Sequence, residues 1–149
     1  MAPYNKFNIF VEDFSNAKHD LFGTAGSTAD TTKVMLSNTA PVATNAVKAD
    51  ITEIAAGNGY SAGGSSCAGS GTRSTATFTL NGTNVTWTAS GGTIGPFQYV
   101  VHYNDTQTTP AKPLINWWDY GSALTLQNGD SFTVKFNNGA SNGTIFDLA

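Results

Sequence analysis

Thr75-Ala76-Thr77-Phe78-Thr79-Leu80-Asn81-Gly82-Thr83-Asn84-Val85-Thr86-Trp87-Thr88-Ala89 is the stretch on which the fold turns. Apolar and hydroxyl side chains alternate one by one, the period of a strand with one buried face. Ala76, Phe78 and Leu80 share one face of the first run. Val85, Trp87 and Ala89 share one face of the second. Threonine suits this setting because its β-branched side chain packs well on a pleated surface. Asn81-Gly82 between the runs is a strong hairpin signal, so the two are expected to pair.

The same period continues towards the C-terminus. Phe97 to Asn104 reads as a strand, with Phe97, Tyr99, Val101 and Tyr103 on one face. Gln98, Val100, His102 and Asn104 take the other, and His102 is expected to point outward. Asp105 to Pro113 is a loop. Leu114 to Tyr120 is an aromatic-rich strand ended by Gly121. Ala123–Leu126 and Ser131–Phe136 are expected to form a second hairpin around Asn128-Gly129, with Phe132, Val134 and Phe136 on one face. Asn137 to Gly143 reads as a polar turn, and Thr144 to Ala149 as a last strand.

Towards the N-terminus the period changes. Phe7, Phe10, Val11 and Phe14 follow the i, i+3, i+4, i+7 rule, and Leu21 extends the stripe. A helix is therefore expected over Tyr4–Lys18, with Asn5 as its N-cap and the stop near Gly23 and Gly26. Thr24 to Thr32 is a polar loop. Lys33–Asn38 is a short apolar strand. Asn45–Ile54 has room for a helical turn, since Val47, Ile51 and Ile54 recur at helical spacing. Ala55–Gly71, rich in Gly and Ser with Tyr60 as its one large anchor, is the longest loop, and such loops are usually functional or mobile. Seven or eight short strands at intervals of about 8–12 residues fit a sandwich or jelly roll. The expected fold is mainly β: an antiparallel β-sandwich, jelly-roll-like, with one N-terminal amphipathic helix. The chain is read as one domain over 1–149, with the helix in 1–22 and the sandwich in 33–149.

Composition narrows the function. Apolar residues make up 40% of the chain, enough for one core, but charged residues only 11%, against about 25% in an ordinary domain. Thr (21), Gly (16), Asn (14) and Ser (12) take their place. The seven basic residues form no run and the net charge is −3. Nucleic acid is not an expected partner, because binding it needs a basic stripe that displaces counterions. No stretch approaches the ~20 apolar residues of a membrane helix, and the N-terminus lacks a signal-peptide pattern. The chain is expected to be made in the cytoplasm without standard export and to touch no membrane. The single Cys67 cannot form an intrachain disulfide and reads as incidental.

Chemistry-bearing constellations are sparse. His19 and His102 stand in unrelated contexts, with no H-x-x-x-H or C-x-x-C pair, so no metal or cofactor is expected. Glu12 and Asp13 read as a solvated helix face, and Asp50 and Glu53 as another close pair. Asp105 and Asp119 flank one loop and would be the acid pair of a glycosidase or an ion site, were they to approach. The simpler reading gives both a turn-capping role. Gly57-Asn58-Gly59 and Gly63-Gly64 lack the lysine of a phosphate loop. The Asn-x-Thr triplets at Asn81, Asn84, Asn104 and Asn142 match a glycosylation pattern but are expected by chance in a chain so rich in both residues. No enzyme activity is expected. Trp117-Trp118-Asp119-Tyr120 is the most unusual feature. On a strand the two tryptophans face opposite sides, one towards the core and one free to meet a partner or a sugar.

Several segments carry a wider resemblance. They are Tyr4-Asn5-Lys6-Phe7 with Phe10-Val11-Glu12-Asp13, Lys33-Val34-Met35-Leu36, Asn38-Thr39-Ala40-Pro41-Val42, Ala49 to Ile54, Gly57 to Tyr60, and Ala89 to Gly92. The strongest stretches are Gly95-Pro96-Phe97 through Tyr103-Asn104-Asp105, and Pro113-Leu114-Ile115 through Tyr120-Gly121. Through them the chain resembles small virion proteins of tailed bacteriophages, encoded near head genes and similar to head decoration (cement) proteins. Thr24–Thr32, Cys67 and Ile145–Leu148 depart from that pattern. The resemblance implies a structural protein on the head surface of the virion, bound to the major capsid protein as a dimer or trimer. Tyr4 and Phe7, Tyr60, and Trp118 with Tyr120 are the expected contact residues. The alternative is a tail, fibre or baseplate component binding a host glycan.

Overall fold

The computed structural model describes residues 3–23, 29–67, 70–136 and 142–148. The parts of the expected Thr24–Thr32 loop and Asn137–Gly143 turn that fall at 24–28 and 137–141 lie outside the described residues, as does Ala149. In chain order the elements are β1 (Tyr4–Lys6), α1 (Asn8–Ser15), β2 (Thr32–Ser37), a single 3-10 turn (Lys48–Asp50), β3 (Ser65–Ser66), β4 (Ser70–Ser74), β5 (Thr77–Thr83), β6 (Val85–Thr88), β7 (Ile94–Asn104), β8 (Leu114–Leu126), β9 (Ser131–Val134) and β10 (Asn142–Leu148). The fold is mainly β, antiparallel, with one α-helix among the described residues. The 3-10 turn falls where Asn45–Ile54 had room for one.

Among the described residues three sheets form: β1-β8-β7-β2-β3, β10-β5-β4, and β6-β9. The larger sheet is buried on both faces. On one face Phe7, Met35, Val101, Tyr103 and Leu114 cluster, with Ile9, Ile51 and Trp117 against them. On the other, Val34, Leu36, Phe97 and Val100 join Leu80 and Ile145 of the three-stranded sheet, and Val85 and Trp87 of the two-stranded one. Sheets sharing a core in this way make a sandwich arrangement, though these pairings do not by themselves make a jelly roll.

The N-terminus departs from the expected helix. Tyr4–Lys6 pairs with β8, Tyr4 opposite Trp118 and Lys6 opposite Asn116. The edge of β8 satisfies this backbone, so the helix starts later. Phe7, not Asn5, is the N-cap, extended at φ −72°, ψ 143° and without a side-chain cap. The helix also stops earlier than Gly23. Ala17 turns left-handed at φ 54°, with Lys18 N–H bonded to Asp13 O at 2.8 Å and Ala17 N–H to Phe14 O at 3.2 Å. That is a Schellman stop, usually made with glycine. The apolar stripe splits: Phe7, Phe10 and Leu21 are buried, whereas Val11 and Phe14 are exposed.

Neither Asn-Gly pair makes the expected hairpin. β5 runs straight through Asn81-Gly82, pairing with β4 on one side and β10 on the other. β6 pairs instead with β9. Gly82 answers to packing rather than turning: a Cβ there would stand 2.7 Å from Ile145 Cδ1 and 3.1 Å from Cys67 O. The β4–β5 hairpin turns at Thr75-Ala76, with Thr75 at φ 54°. A β-branched residue is rarely left-handed, so local preference gave no sign of it: Thr75-Ala76 reads as the start of a strand, and Ser70-Gly71 as the end of a loop. At Asn128-Gly129 the chain does turn, with Asp130 N–H bonded to Gln127 O at 2.8 Å, but the flanking strands pair with β7 and β6 rather than with each other. β8 also passes Gly121 instead of ending there. Tyr99 opposes Asp119 and Phe97 opposes Leu124, so Tyr120–Ala123 bulges out of the ladder.

The long Gly/Ser segment is tied down. Tyr60 is buried, its hydroxyl accepting from Leu36 N–H at 3.0 Å and donating to Glu53 Oε1 at 2.7 Å. Gly63 N–H reaches the same carboxylate at 2.6 Å, and Tyr103 OH donates to Gly63 O at 2.8 Å.

Candidate functional site: an aromatic edge

β8 carries two tryptophans in succession, and the pleat sends them to opposite faces. Trp117 packs on Phe7, ring centroids 4.4 Å apart. Trp118 lies on the other face, half-buried, where β1 ends. Tyr4 stands directly across the ladder from it, edge-on at 6.2 Å. Phe136 meets Trp118 at 5.8 Å, and His102 lies nearly parallel to it at 6.3 Å. Beyond Trp118 the strand bulges, and Tyr120 projects with 54% of its surface exposed. Its ring meets Phe132 edge-on at 5.9 Å, and Phe132 in turn meets Phe97 at 5.0 Å and stacks on Trp87 at 6.5 Å. Two exposed tyrosines are thus backed by an aromatic chain reaching into the core. Rings held so rigidly lose little entropy on meeting a partner. Tyr4 is 41% exposed, yet burial of its phenol pushes the pKa up to about 12. The phenol therefore stays neutral at physiological pH.

The structure thus gathers Tyr4, Trp118 and Tyr120 on one edge. It removes Phe7 and Tyr60 from the expected contact set, since they are 0% and 3% exposed. Phe7 faces the second core cluster because it lies two residues beyond Asn5, which opposes Trp117, and so continues onto the Trp117 face of the sheet. Tyr60 spends its hydroxyl inside the molecule. Phe132 and Phe136 belong to the edge as well. Their alternation read only as a sheet face, because nothing local shows which strand they lie across.

The other polar groups are committed elsewhere. Asp105 is clamped by Lys33 and Lys112, each at 2.7 Å. Burial alone would raise its pKa, but hydrogen bonds from Lys112 and Lys33 hold it below the usual carboxylate range. Asp119 accepts from Gln98 at 2.9 Å and from Gly121 N–H at 2.7 Å. Asp119 opposes Tyr99, six residues before Asp105, so about 20 Å of strand separates the two acids. They do not form a pair.

His102 points inward, not outward, and is 0% exposed. β2 and β8 flank it, with Val34 and Asn116 opposite in the two ladders and the Trp118 ring beside the imidazole. Its Nδ1 pairs with Asn116 Oδ1 at 2.8 Å, and His19 Nδ1 pairs with Asn104 Nδ2 at 3.2 Å. Asn104 Nδ2 also donates to Asp30 at 2.6 Å, so this triplet asparagine is enclosed. Desolvation lowers both imidazoles to about 4, with Asp30 opposing the shift at His19. Asp13, read as solvated, is 5% exposed; burial, then the charge of Glu12, raises its pKa. Cys67 is buried beside Thr32, its Sγ 3.2 Å from Oγ1, and burial lifts the thiol to about 11. Among the described residues no three His, Cys, Asp or Glu side chains converge as metal ligands, and no helix is long and apolar enough to cross a membrane. A shallow hollow of about 300 Å³ lies between Asn38, Thr39, Thr52, Ile54 and Pro96. Its carboxylate, Glu53, already holds Lys48, Tyr60 and Gly63.

No family model, no curated protein and no solved structure matches the chain.

Proposed function

We propose that the chain is a structural virion protein that decorates an assembled phage head by docking Tyr4, Trp118 and Tyr120 against the major capsid protein. The observation that carries the reading is the convergence of these three aromatic side chains on one edge, held by Phe132 and Phe136. Tyrosine and tryptophan dominate the energetics of protein contacts because they combine large area with a polar tip. The face of β6 and β9 opposite Phe132 is uncharged and would also suit a neutral partner. On β6 and β9, Thr86 bonds Thr133 at 2.8 Å and Thr88 bonds Ser131 at 2.7 Å. Such hydroxyl pairs offer hydrogen bonds with no ion to desolvate. Repetition on a symmetric lattice then turns one modest site per copy into high avidity.

Truncating the N-terminus would remove Phe7 and Phe10 from the core, so the test uses surface changes. Tyr4→Ala with Tyr120→Ala should lower occupancy on purified heads by roughly tenfold or more, while circular dichroism stays that of the parent. Undiminished occupancy would remove the reading.

A second reading is a host-glycan contact on a tail or fibre. It draws on the exposed Tyr120 ring beside the Gln98–Asp119 pair, since an aromatic face flanked by amide and carboxylate is sugar-binding chemistry. Glycan-array binding lost in Tyr120→Ala, with head occupancy unchanged, would select it.

A further inference from the structure

A second apolar surface shares no residue with the aromatic edge. Val11, Phe14 and Phe22 are 55%, 38% and 57% exposed. They are not scattered. Phe14 lies 5.8 Å from Phe10 and 6.2 Å from Phe78, and Phe22 lies 6.4 Å from Phe78. Soluble chains rarely leave such a contiguous patch open unless something binds it.

The charges at its two ends identify the occupant. On α1, residues advance by 100°, so Val11 lies between Phe14 on one side and Glu12 on the other. At the far end Arg73 sits directly opposite Phe78 in the β4–β5 ladder, on the same sheet face. Leu21 and Phe22 cross there over Gly71, where a Cβ would stand 2.7 Å from Leu21 O and 3.0 Å from Phe22 Cα. The surface therefore runs from Arg73 to Phe78, whose ring meets both Phe22 and Phe14, and on from Phe14 through Val11 to Glu12. Glu12 and Arg73 are both exposed, and neither belongs to an ion pair among the described residues.

We propose that this surface is the interface on which two copies of the chain pair about a two-fold axis. A two-fold contact must be complementary to itself. A stripe with a cation at one end, a carboxylate at the other and phenylalanine between meets that requirement. When the axis passes near Phe14, Arg73 of each copy faces Glu12 of the other, and the apolar side chains close over one another. A stripe with one sign of charge at both ends would repel its own copy.

Sedimentation equilibrium of the full chain tests this. The parent is expected to be a dimer. Glu12→Arg and Arg73→Glu, each alone, put like charges together twice per dimer and should weaken it on the order of tenfold. Combining them restores opposite charges and should recover the parent affinity. Phe22→Asp should give monomer. Circular dichroism of each variant, unchanged from the parent, excludes misfolding at these exposed positions. A monomeric parent overturns the proposal, as do single swaps without effect, a double swap that fails to recover, or a Phe22→Asp dimer. None of these readouts involves a capsid, so failure of the head-binding reading leaves the dimer test intact.

Discussion

At Gly64 the backbone takes a φ of +69° and passes so close to β2 that a Cβ would collide with Val34 O and stand 2.7 Å from Met35 Cα. Both neighbours are backbone atoms of a central strand, which cannot move aside. Gly64→Ala should cost roughly 3 kcal/mol or more, combining overpacking with a left-handed alanine. Gly91, at φ +80° with open space within 4 Å of where a methyl would stand, isolates the second effect, and Gly91→Ala should cost only about 1 kcal/mol. Urea midpoints of the two variants measure the difference; equal losses would mean that the Gly64 contact is relieved by backbone movement. A balance of opposing effects also explains Glu53. It receives Lys48, Tyr60 and Gly63, and these hydrogen bonds outweigh a desolvation that by itself would raise its pKa, leaving it lowered. Its sequence neighbourhood, one of two close acids in a weakly helical segment, gave no hint of that role.

At the scale of the element, the end of α1 is informative. A Schellman stop places its left-handed residue at Ala17, which is exposed and φ 54°. Left-handed backbone costs an L-residue with a Cβ about 1–2 kcal/mol, and glycine nothing comparable. Part of the gain from glycine is lost to the greater freedom of the unfolded chain. Ala17→Gly should therefore stabilise by about 0.5–1 kcal/mol, read as a rise in melting temperature. A fall would show that the stop is held by contacts beyond its own dihedral. The strands show the converse. Period-two alternation identified where β5, β6, β7 and β9 lie, because alternation follows from local pleat geometry. It did not identify their partners. Asn81-Gly82 is a good turn sequence, yet the chain continues through it because Gly82 is where Ile145 and Cys67 come closest.

For the whole molecule, the buried histidines couple stability to pH. His19 and His102 each have a folded pKa of about 4 against 6.5 when free. Between these values the unfolded chain binds more protons than the folded one, so stability rises with pH. It is complete above about pH 6.5 and is lost as pH falls towards 4. Each histidine accounts for up to roughly 3 kcal/mol of that loss. Asp50, Glu53 and Asp105 are held below their usual values, so their contribution disappears only at lower pH. Urea midpoints should therefore already drop between pH 6.5 and 5; a flat profile over that range would mean the imidazoles reach solvent or gain a partner when charged.

The alternation of Thr with Phe, Leu, Val and Trp was enough to determine a mainly β chain, and the helical spacing of Phe7, Phe10, Val11 and Phe14 to place one helix near the N-terminus. The opposition of Trp117 and Trp118 was legible too. All three follow from the geometry of a few consecutive residues. What only the tertiary structure decided was pairing and exposure: that Tyr4 lies across from Trp118, that Phe7, Tyr60 and His102 are enclosed, and that Val11, Phe14 and Phe22 are not. Such facts depend on which distant segment fills the space beside a residue. That is settled by packing the whole chain, and no local pattern encodes it.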